Sequence, residues 1–175
     1  MAIISDKGFQ NKKWNTTFLR KVVRNMRRFV NPGNTAFEVA VNSQIYVDKT
    51  GLLAYTNSVI NTKQALICSS RPRRFGKSIT ADMLCAYYSR GCDSDSIFAS
   101  YEIAKSDSYK KYLNQYDVIY LDIQWCMMDA GSAEQTVSYL NYHVIEELKE
   151  IYPQILPDGI RTAYGAMSCI NAQTG

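Results

Sequence analysis

Residues 71–78, Arg-Pro-Arg-Arg-Phe-Gly-Lys-Ser, are the part of this chain whose residue types and spacing best suit phosphate chemistry. The last three match the end of a P-loop, in which glycine lets the backbone approach a polyphosphate. The Lys77 ammonium would reach the outer phosphates, and the Ser78 hydroxyl would ligate Mg2+. The run therefore predicts binding of ATP with Mg2+ at a variant Walker A loop. The predicted nucleotide contacts are Arg73, Arg74, Phe75, Gly76, Lys77, Ser78 and Ile79, and the predicted metal ligand is Ser78.

The start of the loop departs from the P-loop pattern. The pattern has glycine six residues before its lysine, and this chain has Arg71 there. Pro72 restricts Arg71 to extended conformations, so the chain must enter the loop differently. Two interpretations follow. Arg73 and Arg74 could pair with phosphate oxygens, or the run could be a solvated basic turn that binds no nucleotide.

Hydrolysis of ATP requires a carboxylate near the loop to hold magnesium. Asp122 is the candidate catalytic acid, because it follows the apolar run Val-Ile-Tyr-Leu. It could act like a Walker B acid at the end of a strand, or it could be an ordinary strand residue. The residues alone leave enzymatic turnover open.

The elements that would position these groups alternate between strand and helix. Residues 65–68 form an apolar run without alternation, which is typical of a strand buried on both faces. Helical spacing of apolar residues follows over 77–90, and residues 118–123 predict a second strand. Ser132 with Gln135 forms a capping box before a long helix. This order predicts an α/β, P-loop NTPase-like three-layer fold with a parallel sheet.

The N-terminal segment carries most of the basic charge. Residues 1–30 contain eight Lys or Arg and one Asp, and 14–30 have the period of an amphipathic helix. The Asn-Pro-Gly-Asn run at 31–34 then predicts a boundary between a basic extension, 1–30, and a domain, 31–175. The extension could be a peripheral helix with a solvated basic face. Alternatively, it could bind nucleic acid, anionic lipid or a protein partner.

Composition places the chain among globular proteins. With 175 residues, 46% of them hydrophobic, it has the size of one domain. Its five cysteines are an odd number without a C-x-x-C pair, which favours reduced thiols over a metal or redox site. No apolar run approaches the roughly 18 residues of a membrane span, and no signal peptide is recognisable. We therefore expect a cytoplasmic protein without a membrane span.

Four segments together carry a family likeness. Residues 31–37, 46–50, 70–78 and 118–122 resemble the bacterial and archaeal AAA-ATPase-like family, and the similarity covers about residues 30 to 175. Arg71 in place of the first glycine is usual in that family. The resemblance implies a P-loop fold, ATP binding and ATPase ancestry. It also places the adenine pocket beside Ile45, Tyr46 or Val47, whereas the competing interpretation has Asp48 and Lys49 simply begin the next helix.

Members of that family continue with an Ile-Asp-Glu strand, the Walker B, and many end in a restriction-endonuclease-like nuclease domain. Neither is found in residues 1–175, and residues 171–175 are similar to the segment that leads into that strand. The resemblance therefore implies a truncated, N-terminal module with an incomplete sheet, which binds ATP with little or no hydrolysis alone. Two alternatives stay open. One is an active ATPase that uses Asp122 or a partner's carboxylate, and the other is an adaptor that binds nucleic acid or protein through the basic helix.

Overall fold

The computed structural model describes residues 27–70 and 72–174, in which helices alternate with loops. The α-helices are α1 (Thr35–Val41), α2 (Gly51–Val59), α3 (Lys77–Tyr88), α4 (Asp95–Phe98), α5 (Tyr109–Tyr112), α6 (Ile123–Ala130), α7 (Ala133–Ile151) and α8 (Ala163–Thr174). Two short 3-10 helices lie at Lys63–Ala65 and Glu102–Lys105.

The predicted parallel sheet is wrong. Over the residues that the structure describes, β-pairing is limited to two single bridges, antiparallel between Val30 and Ile119 and parallel between Ser89 and Tyr116. The run 65–68 is the clearest case, because Leu66 has an extended backbone but is 95% exposed. A buried parallel strand needs paired strands at its edges and covering helices on its faces, and an apolar run cannot specify these distant partners from its own residues. The residues that the structure describes therefore do not form the predicted three-layer P-loop architecture.

The second predicted strand, 118–123, is replaced by a short bridged segment and a helix start. Asn31 N–H donates to the Val118 carbonyl at 2.8 Å, and Tyr120 N–H donates to the Phe29 carbonyl at 2.8 Å. The Asp122 carboxylate then accepts a hydrogen bond from Trp125 N–H at 2.9 Å. Such a bond satisfies a free N–H of the first helical turn, so the chain leaves the extended conformation and begins α6.

Predictions from local spacing agree better with the structure. Helix α3 begins at Lys77, as predicted, and ends two residues before the predicted Arg90. The long helix α7 begins after Ser132, whose hydroxyl accepts a hydrogen bond from Gln135 N–H at 3.3 Å. Helix spacing and caps depend on residues within one turn of each other, which the sequence displays directly.

Two buried clusters stabilise the molecule, and residues 114–120 run between them. The first cluster surrounds the C-terminal half of α3, and the second lies against α7 and α8. All five cysteines are free, with Cys85 and Cys126 buried. The first cluster consists of Phe37, Leu53, Met83, Ala86, Tyr87, Tyr88, Phe98, Ile103, Tyr109 and Leu113. The second consists of Phe29, Val30, Cys126, Val144, Ile145, Leu148 and Ala166.

The predicted basic helix, 14–30, lies outside the described residues as far as residue 26, and residues 27–30 are not helical. The Glu147 carboxylate of α7 accepts hydrogen bonds from the backbone N–H groups of Arg28, Phe29 and Val30 at 2.7 to 3.0 Å. This carboxylate fixes the start of the described chain on the second cluster. No helix of the described residues is long and apolar enough to cross a membrane.

Candidate functional site

The loop before α3 contains two residues in the left-handed backbone region. Arg74 has φ +70° and Gly76 has φ +73°. Glycine adopts this conformation without strain, whereas an arginine pays on the order of 1 kcal/mol. Arg71 lies outside the described residues, so the expected change at the loop's entry stays a prediction. The two left-handed residues turn the chain sharply into the N-terminus of α3.

The N-terminus of α3 is open to an anion. Its N-cap is Gly76, which has no side chain to accept from the first N–H groups, and its first turn contains no acidic residue. The first backbone bond of the helix runs from Thr80 N–H to the Gly76 carbonyl at 2.9 Å. The N–H groups that precede Thr80 therefore have no acceptor within the helix. Together with the helix dipole, they favour a negative group at this end.

Two lysines bring positive charge to the same loop. The Lys77 ammonium donates to the Pro72 carbonyl at 3.0 Å and so crosses the loop from the helix start towards its entry. The Lys49 ammonium donates to the Phe75 carbonyl at 2.8 Å. Both of these acceptors are main-chain carbonyls, which carry no net charge.

A pocket of about 380 Å³ lies beside the loop. It brings together two of the predicted contacts, Phe75 and Lys77, and Gly76 stands between them in the chain. The side chains of Arg73, Arg74, Ser78 and Ile79 are exposed and do not line it. Sequence reasoning missed four of the lining residues. The pocket is lined by Lys49, Leu52, Ser69, Phe75, Lys77 and Thr80.

Lys49 is held in place by its two chain neighbours. The Asp48 carboxylate accepts hydrogen bonds from Thr50 N–H at 2.8 Å and from Glu102 N–H at 3.0 Å. Burial raises the pKa of the Asp48 carboxyl, but these bonds outweigh it and hold the pKa below its usual value. Thr50 is fully buried, and its hydroxyl accepts from Ile103 N–H at 3.2 Å. The backbone on both sides of Lys49 is thus anchored to the first buried cluster.

The proposed adenine contacts do not line this pocket. Tyr46 packs edge-on against Phe37 and Tyr101, and burial, with the nearby Asp48 charge and Tyr101, raises its pKa to about 12. Ile45 and Val47 are 84% and 66% exposed. Helix α2 begins at Gly51, directly after Asp48, Lys49 and Thr50, which agrees with the competing interpretation of this segment. The adenine position stays a prediction.

The candidate acid Asp122 lies at the start of α6, where its carboxylate caps the helix. Asp82 of α3 is half-buried, and burial raises its pKa. The pKa of Tyr120 is raised mainly by burial, and to a smaller extent by its electrostatic interactions with Asp82, Cys85 and Asp122. In the described parts of the chain, no group of three or more His, Cys, Asp or Glu could hold a metal ion. A catalytic role for Asp122 stays a prediction.

The exposed loop, the uncapped helix start and the two lysines are features that favour a negatively charged ligand, and a family comparison agrees with this interpretation. The family described as Predicted AAA-ATPase matches residues 33–167, which include every residue of the loop. The chain belongs to this family, as the resemblance of its segments indicated. Membership favours nucleotide binding as the general function. No curated protein and no solved structure matches the chain.

Proposed function

We propose that this chain binds ATP together with Mg2+ at the loop that precedes α3. The observation that carries the proposal is the open N-terminus of α3, with Lys77 and Lys49 beside it, inside the segment that the family match covers. Backbone N–H groups at such a helix end bind phosphate oxygens directly. The pocket beside the loop provides room for the remainder of the nucleotide.

Lys77 is the principal phosphate ligand of this proposal. In the structure its ammonium is bound to the neutral Pro72 carbonyl. A hydrogen bond to a charged phosphate oxygen is about twice as strong as one to a neutral acceptor, so a phosphate oxygen of ATP can replace the Pro72 carbonyl as an acceptor for Lys77. Arg73 and Arg74 precede it on the exposed side of the loop, where their guanidinium groups can reach the outer phosphate oxygens.

Magnesium would be held mainly through the nucleotide. Ser78 is the second residue of α3, and its exposed side chain can offer one oxygen ligand. Mg2+ usually keeps several waters and is bound by a few protein oxygens together with substrate phosphates. The residues at the loop fit that arrangement. They do not provide a cage that would hold the ion without ATP.

Titration of ATP·Mg2+ into the protein by calorimetry tests the proposal. Lys77→Met removes the ammonium and should weaken binding at least about tenfold, since a hydrogen bond to a charged group contributes about 1.5 kcal/mol or more. Lys63→Met is the matched control, because Lys63 is exposed and does not line the pocket. If the unmodified protein shows no saturable ATP binding, or if both variants bind like it, the proposal fails.

We expect slow turnover, because the Asp122 carboxylate is already engaged in capping α6. Two variants separate a catalytic role from the cap. Asn caps helices about as well as Asp, so Asp122→Asn removes the charge and keeps the cap, whereas Asp122→Ala removes both. If Asp122 only caps, phosphate release is unchanged in Asp122→Asn and the melting temperature falls only in Asp122→Ala. Loss of phosphate release in Asp122→Asn would instead support an active ATPase that uses this acid.

A further inference from the structure

Lys49 contacts the loop from a distant part of the chain. Its ammonium is 2.8 Å from the Phe75 carbonyl, although the two residues are 26 positions apart. A Cβ atom added to Gly76 would lie 2.8 Å from the same ammonium. The nitrogen therefore lies against the backbone of Gly76, the N-cap of α3. It occupies the space that glycine leaves open.

Hydrogen bonds of the two neighbouring residues fix the backbone of Lys49. Asp48 and Thr50 on either side are bound to the 3-10 helix Glu102–Lys105 through the backbone N–H groups of Glu102 and Ile103. An exposed lysine on a free loop would lose much conformational entropy on binding a phosphate. Here the backbone is fixed and the ammonium already lies at the loop, so less entropy remains to be lost.

The charges at the pocket point to a polyanion. Among the residues that line it, Lys49 and Lys77 are charged, and both are positive. Each of the two ammonium groups donates a hydrogen bond to a main-chain carbonyl, which carries no net charge. Two positive groups that face one pocket favour a ligand with several negative oxygens over one with few.

We propose that Lys49 is a second phosphate-binding lysine of the loop and that it makes the site selective for a nucleoside triphosphate over a monophosphate. The inference rests on the proposed ATP site and adds to it a residue that lies outside the loop run. Lys49 contributes charge directly to the bound phosphates, while its bond to Phe75 holds it at the loop in the absence of ligand. Its effect therefore grows with the charge of the ligand.

Calorimetric titrations with ATP and with AMP test this role in Lys49→Met, Lys49→Arg and the Lys63→Met control. Lys49→Met should weaken the binding of ATP about tenfold and the binding of AMP by clearly less, so the preference for ATP over AMP falls. The loss should shrink at high salt, because salt screens exposed charges. Lys49→Arg keeps the charge and should recover most of the preference. Lys63→Met should leave it unchanged.

The outcomes separate this inference from the proposed site. If Lys77→Met loses ATP and Lys49→Met does not, the site stands and the role of Lys49 is refuted. If Lys49→Met weakens the binding of ATP and of AMP by the same factor at every salt concentration, Lys49 only shapes the loop, and the inference is also refuted. If the unmodified protein binds neither nucleotide, the proposed site and the inference fail together. Thermal melting of each variant, followed by circular dichroism, shows whether the fold is retained.

Discussion

The two ends of helix α3 differ in almost every physical respect. At its C-terminal end Tyr87 is fully buried, and its hydroxyl donates to the Tyr109 carbonyl at 2.8 Å and accepts from the Asn57 amide at 3.0 Å. At its N-terminal end the side chains of Lys77 and Ser78 are exposed, and the cap is a glycine without an acceptor. At the C-terminal end the Tyr87 hydroxyl is satisfied within the protein. The N-terminal end begins with N–H groups that have no acceptor within the helix.

This difference separates stability from binding within one helix. Buried polar groups that are fully bonded rigidify a structure, whereas open helix ends contribute little to it. The exposed loop can therefore change on binding without loosening the first buried cluster. Substitutions at the buried end should lower the free energy of unfolding, and those at the exposed end should lower affinity. The predictions below test this separation, beginning with the largest effect.

Tyr87→Ala should produce the largest loss of stability. It removes a fully buried ring that packs 4.9 Å from Tyr88 and 5.4 Å from Phe98, measured between ring centroids, and it deprives Asn57 of a partner. A buried aromatic residue replaced by alanine costs about 4 kcal/mol. Urea denaturation followed by circular dichroism measures the free energy of unfolding.

Tyr87→Phe is the matched control for this prediction. It keeps the ring and removes only the hydroxyl, so it should cost about 1 kcal/mol. Lys77→Met, at the other end of α3, should change the free energy of unfolding by less than either. A loss below about 1 kcal/mol in Tyr87→Ala would contradict the assignment of stability to this end.

The same contrast explains what the sequence could predict. The bounds of α3 follow from apolar spacing within the helix, and those residues carry that information themselves. The apolar run 65–68 predicted a strand, yet Leu66 is exposed, because pairing depends on distant segments that the run does not encode. The role of Asp122 as an N-cap could have been predicted from the sequence, since an aspartate ahead of a helix is a common N-cap.

The residues of the candidate site also differ in whether the sequence could identify them. Lys77 could be identified from its Gly-Lys-Ser neighbours, which are adjacent in the chain. The contact from Lys49 to Phe75 could not, because it depends on how the chain folds over 26 positions. Its only sequence signal was the Asp48-Lys49-Thr50 run, in which Asp48 bonds to the backbone two residues later, a usual turn for aspartate.

Alkaline pH should weaken the buried end of α3. Burial raises the pKa of Tyr88 to about 12, although the hydrogen bond with Thr56 opposes the change. Because the folded pKa is above that of the unfolded chain, this contribution to stability is complete below about pH 10 and is lost as pH rises to about 12. The loss should be about 2 kcal/mol, measured by urea denaturation across that range.

Tyr88→Phe should flatten the pH dependence between about pH 10 and 12, since phenylalanine has no proton to release. Part of the dependence should remain, because the pKa values of Tyr46 and Tyr139 are also raised to about 12 and that of Tyr109 is raised as well. Tyr55→Phe alters an exposed ring and should leave the curve unchanged. An identical pH curve in Tyr88→Phe and the unmodified protein would exclude Tyr88 as a source of the loss.

A pair of glycines with positive φ, one near each end of α3, gives a sharper test with a smaller change in stability than Tyr87→Ala. Gly76 has φ +73° at the N-terminal end, and Gly91 has φ +85° just beyond the C-terminal end. Replacing either with alanine should cost about 1 kcal/mol of stability through backbone strain. The two differ in their surroundings. A Cβ at Gly91 meets no atom within 4 Å, whereas one at Gly76 meets the Lys49 ammonium at 2.8 Å.

Gly76→Ala and Gly91→Ala should therefore have similar melting temperatures and different affinities for ATP. The methyl group at residue 76 displaces the Lys49 ammonium and crowds the helix start, so ATP binding should weaken about tenfold in Gly76→Ala alone. Melting followed by circular dichroism and calorimetric titration of the same samples give both quantities. Equal weakening of ATP binding in the two variants would mean that backbone strain beyond the C-terminal end of α3 also reaches the loop. The two ends would then be coupled, and stability and binding would not be separable within this helix.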